Sequence, residues 1–463
     1  MSTKISDTEK IREIVELFSS PYYDTFRPYI KRLLRLSRNE KFMSVPTNHL
    51  ALQLAILESL EEGDASVSQG RKKERTEGKG QELQNKRNQT ISLAFRLIAD
   101  GIAWRTLKFN RFHLRVLSQA RSPGPVNDKE GRAAEELQAK RVAEELGHFV
   151  LFNDVTNILR VGDLIFINPN KEPQRPAIAE MKKKKMILFT SIGKKIKIGM
   201  TLNKQEVRLL QAQIAILSNT FTADRRNAPV LDVVPKSIKD KLREANNMVV
   251  RANKVGSCEG FLTPYMYFSA LDLTHPMLKD EKRVKKTGGT DAPQDLVPLA
   301  FWSSYDTISI YKEHEVLRSS APITVFPFSM DNIIKLVFGE LLTQVVIYRE
   351  PLIKAFEDKG WKLVINDTAL DRYNQQLDKD RIKYFSSHVL FPEGGFQEGD
   401  YMMLTNPNNG FRWPIFNMVT QMTQEYTTVD YIISQVEQIM KIATPGKVNA
   451  FFLENARDVE RWH

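Results

Sequence analysis

A single cysteine, Cys258, stands in 463 residues, so the chain has no intrachain disulfide framework and no thiolate set for zinc. Nowhere do roughly 18 uninterrupted apolar residues occur, and the opening MSTKISDTEKIREIVELF is polar and charged with no apolar core. The expectation is a cytoplasmic protein without a membrane partner. Histidines at 49, 113, 148, 275, 314, 388 and 463 show no H-x-x-x-H spacing, which disfavours zinc chemistry. A GxxxxGK[ST] loop is missing, which excludes a built-in P-loop ATPase, and no serine sits in a G-x-S-x-G turn.

What is present is positive charge. Lys and Arg number 67 against 56 Asp and Glu, a formal +11, which favours polyanionic partners such as nucleic acid over a merely solvated basic surface. Hydrophobic residues at 42% and charged residues at 27% match an ordinary folded protein. A chain of this length exceeds one hydrophobic core, so two or three domains are expected.

Residues 1–120 read as a helical N-terminal region. Ile11, Ile14, Val15 and Phe18, then Leu50, Leu54 and Leu57, recur at helical spacing, as do Phe95, Ile98, Ile102 and Leu114 further on. Between them, residues 61–90 are poor in large apolar side chains and read as a charged, solvated linker. Arg71 to Arg87 holds seven basic and three acidic residues, net +4. RSPGPVND (121–128) then marks a break before a second region, 121–220. Here a helix over 129–146, stopped by Gly147, precedes three short apolar strands: HFVLFN (148–153), GDLIFIN (162–168) and PAIAEMK (176–182). Asn203 and Glu206 form a capping box that opens a helix through Leu217. The fold class expected is α/β: a small mixed sheet flanked by helices, with a large α+β C-terminal region at 221–463. In that last region strands are expected at 265–271 and 308–311, a long helix over 331–356, and exposed loops at 279–289 and 392–400.

The chemistry concentrates in PAIAEMK. Strand alternation puts Ile178, Glu180 and Lys182 on one face. An acid and an ammonium beside Ala177, Ile178 and Ala179 require compensation, because burying either charge alone costs several kcal/mol. Asp163 opens the preceding strand, and pairing of the two strands brings its carboxylate towards Glu180. Two carboxylates repel unless a cation holds both ionised, and oxygen ligands suit magnesium or manganese. Metal-bound water can then attack a phosphodiester, with Lys182 placed to orient it and stabilise the transition state.

The order helix, strand, D-L-I-F-I strand, A-E-M-K strand, helix resembles the PD-(D/E)XK nuclease superfamily, whose core is restriction-endonuclease-like. The resemblance covers residues 128–219, about a fifth of the chain. It implies that Asp163 and Glu180 are metal ligands, that Lys182 is the catalytic lysine, and that the activity is Mg2+- or Mn2+-dependent cleavage of nucleic acid, DNA more often than RNA. Gly162 stands where many members have proline, and no Gln-x-x-x-Tyr signature follows Lys182.

Further residues carry two readings each. Glu135 and Glu136, on the helix before the strands, supply an additional ligand or are solvated charges. Gln211, on the inner face of the following helix, touches the site or caps a buried backbone group. Lys183, Lys184 and Lys185 contact phosphate or form an ordinary basic hairpin, and Arg160, just before Asp163, pairs with the carboxylates or with phosphate. Asp154 and Thr156 rank below these. The functional expectation is an endonuclease, with restriction or phage defence as its setting and a homodimer as a natural means of double-strand cutting. The alternative is a non-cleaving nucleic-acid-binding or scaffold protein with a degenerate nuclease-like core. A third reading makes D…ExK a structural ion cluster.

Overall fold

The computed structural model describes residues 21–77, 80–110, 113–114, 117, 132–159, 161–171, 176–182, 185–188, 207, 209–210, 212–213, 216, 236–276, 296, 298–303, 322–365, 402–415, 422 and 425–442. Two compact units divide the chain: residues 1–233 with 308–340, and residues 234–307 with 341–463.

The first unit opens with α1 (Arg27–Ser37), whose Ile30, Leu33, Leu34 and Ser37 are buried at i, i+3, i+4 and i+7. A single turn, Glu40–Met43, follows, capped by Asn39, whose side chain accepts the Phe42 N–H at 3.1 Å. Next come two long helices, α2 (Pro46–Glu77) and α3 (Gly80–Thr106), packed along each other. His49 near the start of α2 bonds Thr106 at the end of α3 at 2.8 Å, so the pair is antiparallel. The segment expected as a solvated linker is therefore helical over nearly all its length. Its Glu, Gln, Lys and Arg are good helix formers, and the helices extend from an apolar hairpin already paired at Leu50, Leu57, Phe95 and Ile98. α3 ends where Lys108 and Phe109 take positive φ, 50° and 55°.

α4 (Arg132–Glu145) stops at Gly147, whose φ of +63° is the left-handed conformation glycine accepts readily. The strands then run as a meander in the order β1 (Phe149–Phe152), β2 (Leu164–Ile167), β3 (Ala177–Lys182), β4 (Lys185–Leu188). Val150 and Leu151, all of β2, and Ile178 and Ala179 are buried, with α2 and α4 against β1. The expected mixed sheet is antiparallel at every described pairing. Its connections are too short for the crossover of about a dozen or more residues that a parallel pair requires. The lysine-rich hairpin supplies β4, a strand beyond the three expected. Of the expected helix over 203–217, residues 207, 209, 210, 212, 213 and 216 are described, and all are helical.

The second unit begins with α5 (Lys236–Val255), β5 (Ser257–Thr263), β6 (Met266–Asp272) and β7 (Pro298–Ser303). The chain returns to the first unit through a 3-10 turn, Ile323–Val325, and α6 (Met330–Val337). Gly101 of α3 permits the close approach of that turn, since a Cβ there would stand 2.6 Å from Thr324 Oγ1. The Thr324 hydroxyl donates to the Leu97 carbonyl at 2.7 Å.

Back in the second unit lie β8 (Leu341–Tyr348), α7 (Arg349–Glu357), β9 (Lys362–Ile365), β10 (Met402–Thr405), β11 (Arg412–Pro414) and α8 (Val429–Ile442). Its sheets have the orders β5-β6-β8-β7 and β11-β10-β9, antiparallel throughout. The strand expected at 265–271 is β6. The helix expected over 331–356 with an interruption near Pro351 is instead helix, strand, helix, with Pro351 inside the first turn of α7. Gly339 at φ +67° ends α6, and LLTQVVIY alternates buried with half-buried positions, a period of two rather than 3.6. The strand at 308–311 and the loops at 279–289 and 392–400 lie outside the described residues.

Candidate functional site

The junction of β2 and β3 is built backbone first. The Asp163 N–H donates to the Ala179 carbonyl at 2.8 Å, and Leu164 pairs with Ala179. Asp163 stands one residue before that pair and Glu180 one residue after it, so the two acids flank the same end of the described ladder. The Asp163 carboxylate reaches across to β3, where Oδ2 accepts the Met181 N–H at 2.7 Å. Both acids are half-buried.

Gly162 makes this approach possible. Its φ is +80°, and a Cβ would fall 2.6 Å from Ile178 Cγ2 and 2.7 Å from the Ala179 carbonyl oxygen. No proline or other side chain fits there. From the opposite side Asn153 fixes the same loop: its N–H donates to the Asp163 carbonyl at 3.0 Å, and Nδ2 donates to the carbonyls of Val161 at 2.7 Å and Gly162 at 2.9 Å.

Of the other expected site residues, Glu135 is buried on the inner side of α4 with Ala139 and Val142. Glu136 accepts from Arg132 Nε at 2.8 Å, and Arg132 also pairs with Glu61. It is thus a member of an ion cluster between α4 and α2. Lys182 continues β3 and pairs with Lys185 in β4, so alternation keeps it on the Glu180 face of the strand; the side chains of both lysines lie outside the described residues. Arg160, Lys183, Lys184 and Gln211 lie outside them as well. Asp154 and Thr156 contribute backbone carbonyls to Arg96, and the Thr156 hydroxyl accepts the Leu159 N–H at 2.9 Å. Among the described residues no group of three His, Cys, Asp or Glu is gathered as a metal cage.

Several residues that position the site carry no motif. Arg96 Nη1 donates to the Asp154 carbonyl at 2.6 Å. Asp100, fully buried, accepts from Asn157 N at 2.7 Å, Asn157 Nδ2 at 2.8 Å and Ile158 N at 3.3 Å. α3 therefore grips the loop that leads from β1 to Asp163. The signal was legible: Arg96 and Asp100 interrupt the apolar run ISLAFRLIADGIAW four residues apart on one helix face, and buried polar groups demand partners.

Two glutamines complete the sheet. Gln53 of α2 accepts the Phe152 N–H at 3.0 Å and donates to the Val150 carbonyl, covering the outward hydrogen-bonding groups of β1. Gln213 accepts the Ile178 N–H at 3.0 Å and donates to the Pro176 carbonyl at 2.9 Å, continuing the ladder where β4 ends. Gln213 thus makes a backbone cap of the kind weighed for Gln211, which lies outside the described residues. His49 backs Gln53 at 3.1 Å, and burial pushes its pKa down to about 3, so it stays neutral.

No family model, curated protein or solved structure matches this chain.

Proposed function

We propose that the first unit is a metal-dependent phosphodiesterase acting on nucleic acid, DNA before RNA, centred on Asp163, Glu180 and Lys182. The observation that carries the reading is that Asp163 and Glu180 flank the Leu164–Ala179 pair at the β2–β3 junction, with the Asp163 carboxylate anchored on the Met181 N–H beside Glu180. Half-buried carboxylates brought close together repel unless a cation lies between them, and oxygen donors of this kind suit magnesium or manganese. Bound there, the ion would supply a water of lowered pKa and neutralise charge on the phosphoryl oxygens. Asp163 and Glu180 would hold it. Lys182, two residues along the strand from Glu180, would orient the nucleophile and stabilise the negative charge that develops on phosphorus-bound oxygen. The formal charge of +11 favours a polyanionic substrate.

Plasmid nicking in magnesium tests this. Asp163→Asn retains an acceptor for the Met181 N–H while removing the charge, and Glu180→Gln and Lys182→Ala remove the other two groups. Each variant is expected to fold and to lose at least 100-fold in nicking rate. Undiminished cleavage by all three would refute the assignment. A second reading, nucleic-acid binding without turnover, draws support from the structural bond that Asp163 already makes to β3 and from the absence of a third gathered acid among the described residues. Salt-sensitive, metal-independent binding with no cleavage in either ion would select it.

A further inference from the structure

We propose that the first unit carries a phosphate-binding cavity walled by Lys31, Arg35 and Arg38 on one side and by the start of α6 on the other, taking a phosphomonoester of nucleotide size. None of these residues belongs to the Asp163 group, and the inference stands whether or not that group cleaves.

Lys31, Arg35 and Arg38 fall at i, i+4 and i+7, hence on one face of α1 and its C-cap. Facing them across a cavity of about 510 Å³ are Phe328, Ser329, Met330 and Asp331. Lys31 Nζ meets Asp331 Oδ1 at 2.6 Å. Three cations against one carboxylate leave the lining at 3 − 1 = +2.

That surplus is not neutralised from behind. Arg38 donates to the carbonyls of Thr324 at 3.2 Å, Phe328 at 2.8 Å and Phe326, all neutral acceptors. Arg105 stands at its back, donating to the carbonyls of Ser37 at 2.8 Å and Thr324 at 3.4 Å. The two guanidiniums share the Thr324 oxygen, and neither forms an ion pair with a carboxylate among the described residues. Burial, and then the repulsion of Arg38, lower Arg105 to about 10. Arg35 is exposed and makes no hydrogen bond or ion pair among the described residues. Glu40 acts in the opposite direction on Arg105, but Arg38 and Arg105 themselves bond only neutral carbonyls, an arrangement that an anion in the cavity favours.

On the opposite wall the Asp331 carboxylate is taken up by Lys31, and the backbone favours an anion. Ser329 caps α6 by accepting the Asn332 N–H at 3.2 Å, and the first-turn N–H groups of a helix have no intrahelical acceptors. A phosphomonoester carries about −1.5 to −2 at neutral pH, matching the surplus where a carboxylate would match half of it. The recess is open to solvent, and its volume of about 510 Å³ leaves room for an ester with a body attached.

The test is isothermal titration of the full chain with adenosine 5′-monophosphate, inorganic phosphate and adenosine. Adenosine monophosphate should bind, phosphate should compete with it, and adenosine should not bind. Tighter binding of the nucleotide assigns the ester, and equal affinity of the two assigns inorganic phosphate as the source. Arg35→Glu, at an exposed position, should weaken nucleotide binding at least 10-fold, while Arg32→Glu, exposed on the same helix but outside the lining, should change it less than twofold. Asp163→Asn should leave it unchanged, which separates this site from the proposed cleavage centre. Absence of phosphate binding at millimolar concentration, unchanged affinity in Arg35→Glu, or equal losses in both arginine variants would overturn the proposal.

Discussion

Replacing Gln53 by leucine tests how the sheet edge is held. The side chain is almost fully buried and serves two backbone groups of β1, the Phe152 N–H and the Val150 carbonyl. Leucine fills a similar volume, so cavity formation contributes little, and both backbone groups lose their partners in a place water does not reach. A buried donor or acceptor left unmade costs about 1–3 kcal/mol, so the pair costs about 2–6 kcal/mol. The chain has two units, and a global melting curve would mix their transitions. Residue-resolved amide hydrogen exchange is the better assay. With exchange through local opening, a loss of about 2 kcal/mol accelerates exchange of the Phe152 amide roughly 30-fold, since about 1.4 kcal/mol is tenfold. Amides of the second unit should keep wild-type protection. A Phe152 amide protected to within threefold of wild type would show that Gln53 does not close the edge.

Gln213→Leu should deprotect Ile178 in the same way, because Gln213 serves its N–H at 3.0 Å; unchanged protection would remove Gln213 from the ladder. Gly162→Ala should cost about 2 kcal/mol or more in urea unfolding of the first unit, since the added methyl meets Ile178 and the Ala179 carbonyl at 2.6 and 2.7 Å. Asp100→Ala should cost about 3–5 kcal/mol by stranding three N–H donors, with Asn157 and Ile158 the first amides to lose protection. Stability of the first unit should fall in acid: His49 and His113 are pushed by burial to about 3 and about 4, below the ordinary 6.5 of the unfolded chain. The unfolded state then binds more protons, so their contribution is complete above about pH 6.5. It is lost at up to about 1.4 kcal/mol per pH unit per histidine as pH falls towards 3–4. His49→Gln with a flattened acid limb in denaturant titrations would support this, and an unaltered limb would count against it.

Elements with a strong local period were readable from the residues. Apolar strands bounded by turn residues gave β1, β2 and β3 close to their observed ends, and Gly147 marked the end of α4. Misreadings arose where composition and period conflicted. Residues 61–90 lack an apolar stripe but are rich in helix formers, and the hairpin they extend decides their state. LLTQVVIY follows directly on a helix, and only its β-branched alternation separates it from one. At the junction itself, strand pairing was enough to expect Asp163 and Glu180 at the same end of the β2–β3 ladder. The contacts that aim Asp163 were not legible, because Arg96 and Asp100 act on backbone atoms more than 50 residues away and Asn153 acts across a loop, and a polar residue in an apolar run announces a need without naming its partner.

A sheet whose border strand has its outward N–H and C=O groups already engaged cannot recruit another strand at that border. Gln53 engages two of the outward groups of β1, so strand invasion and stacking of copies edge to edge through β1 are opposed by a side chain from a helix. Extending the sheet at β1 in a homodimer would require Gln53 to be displaced. Losing the amide would do more than loosen the fold, since the bared border would become a template for aggregation.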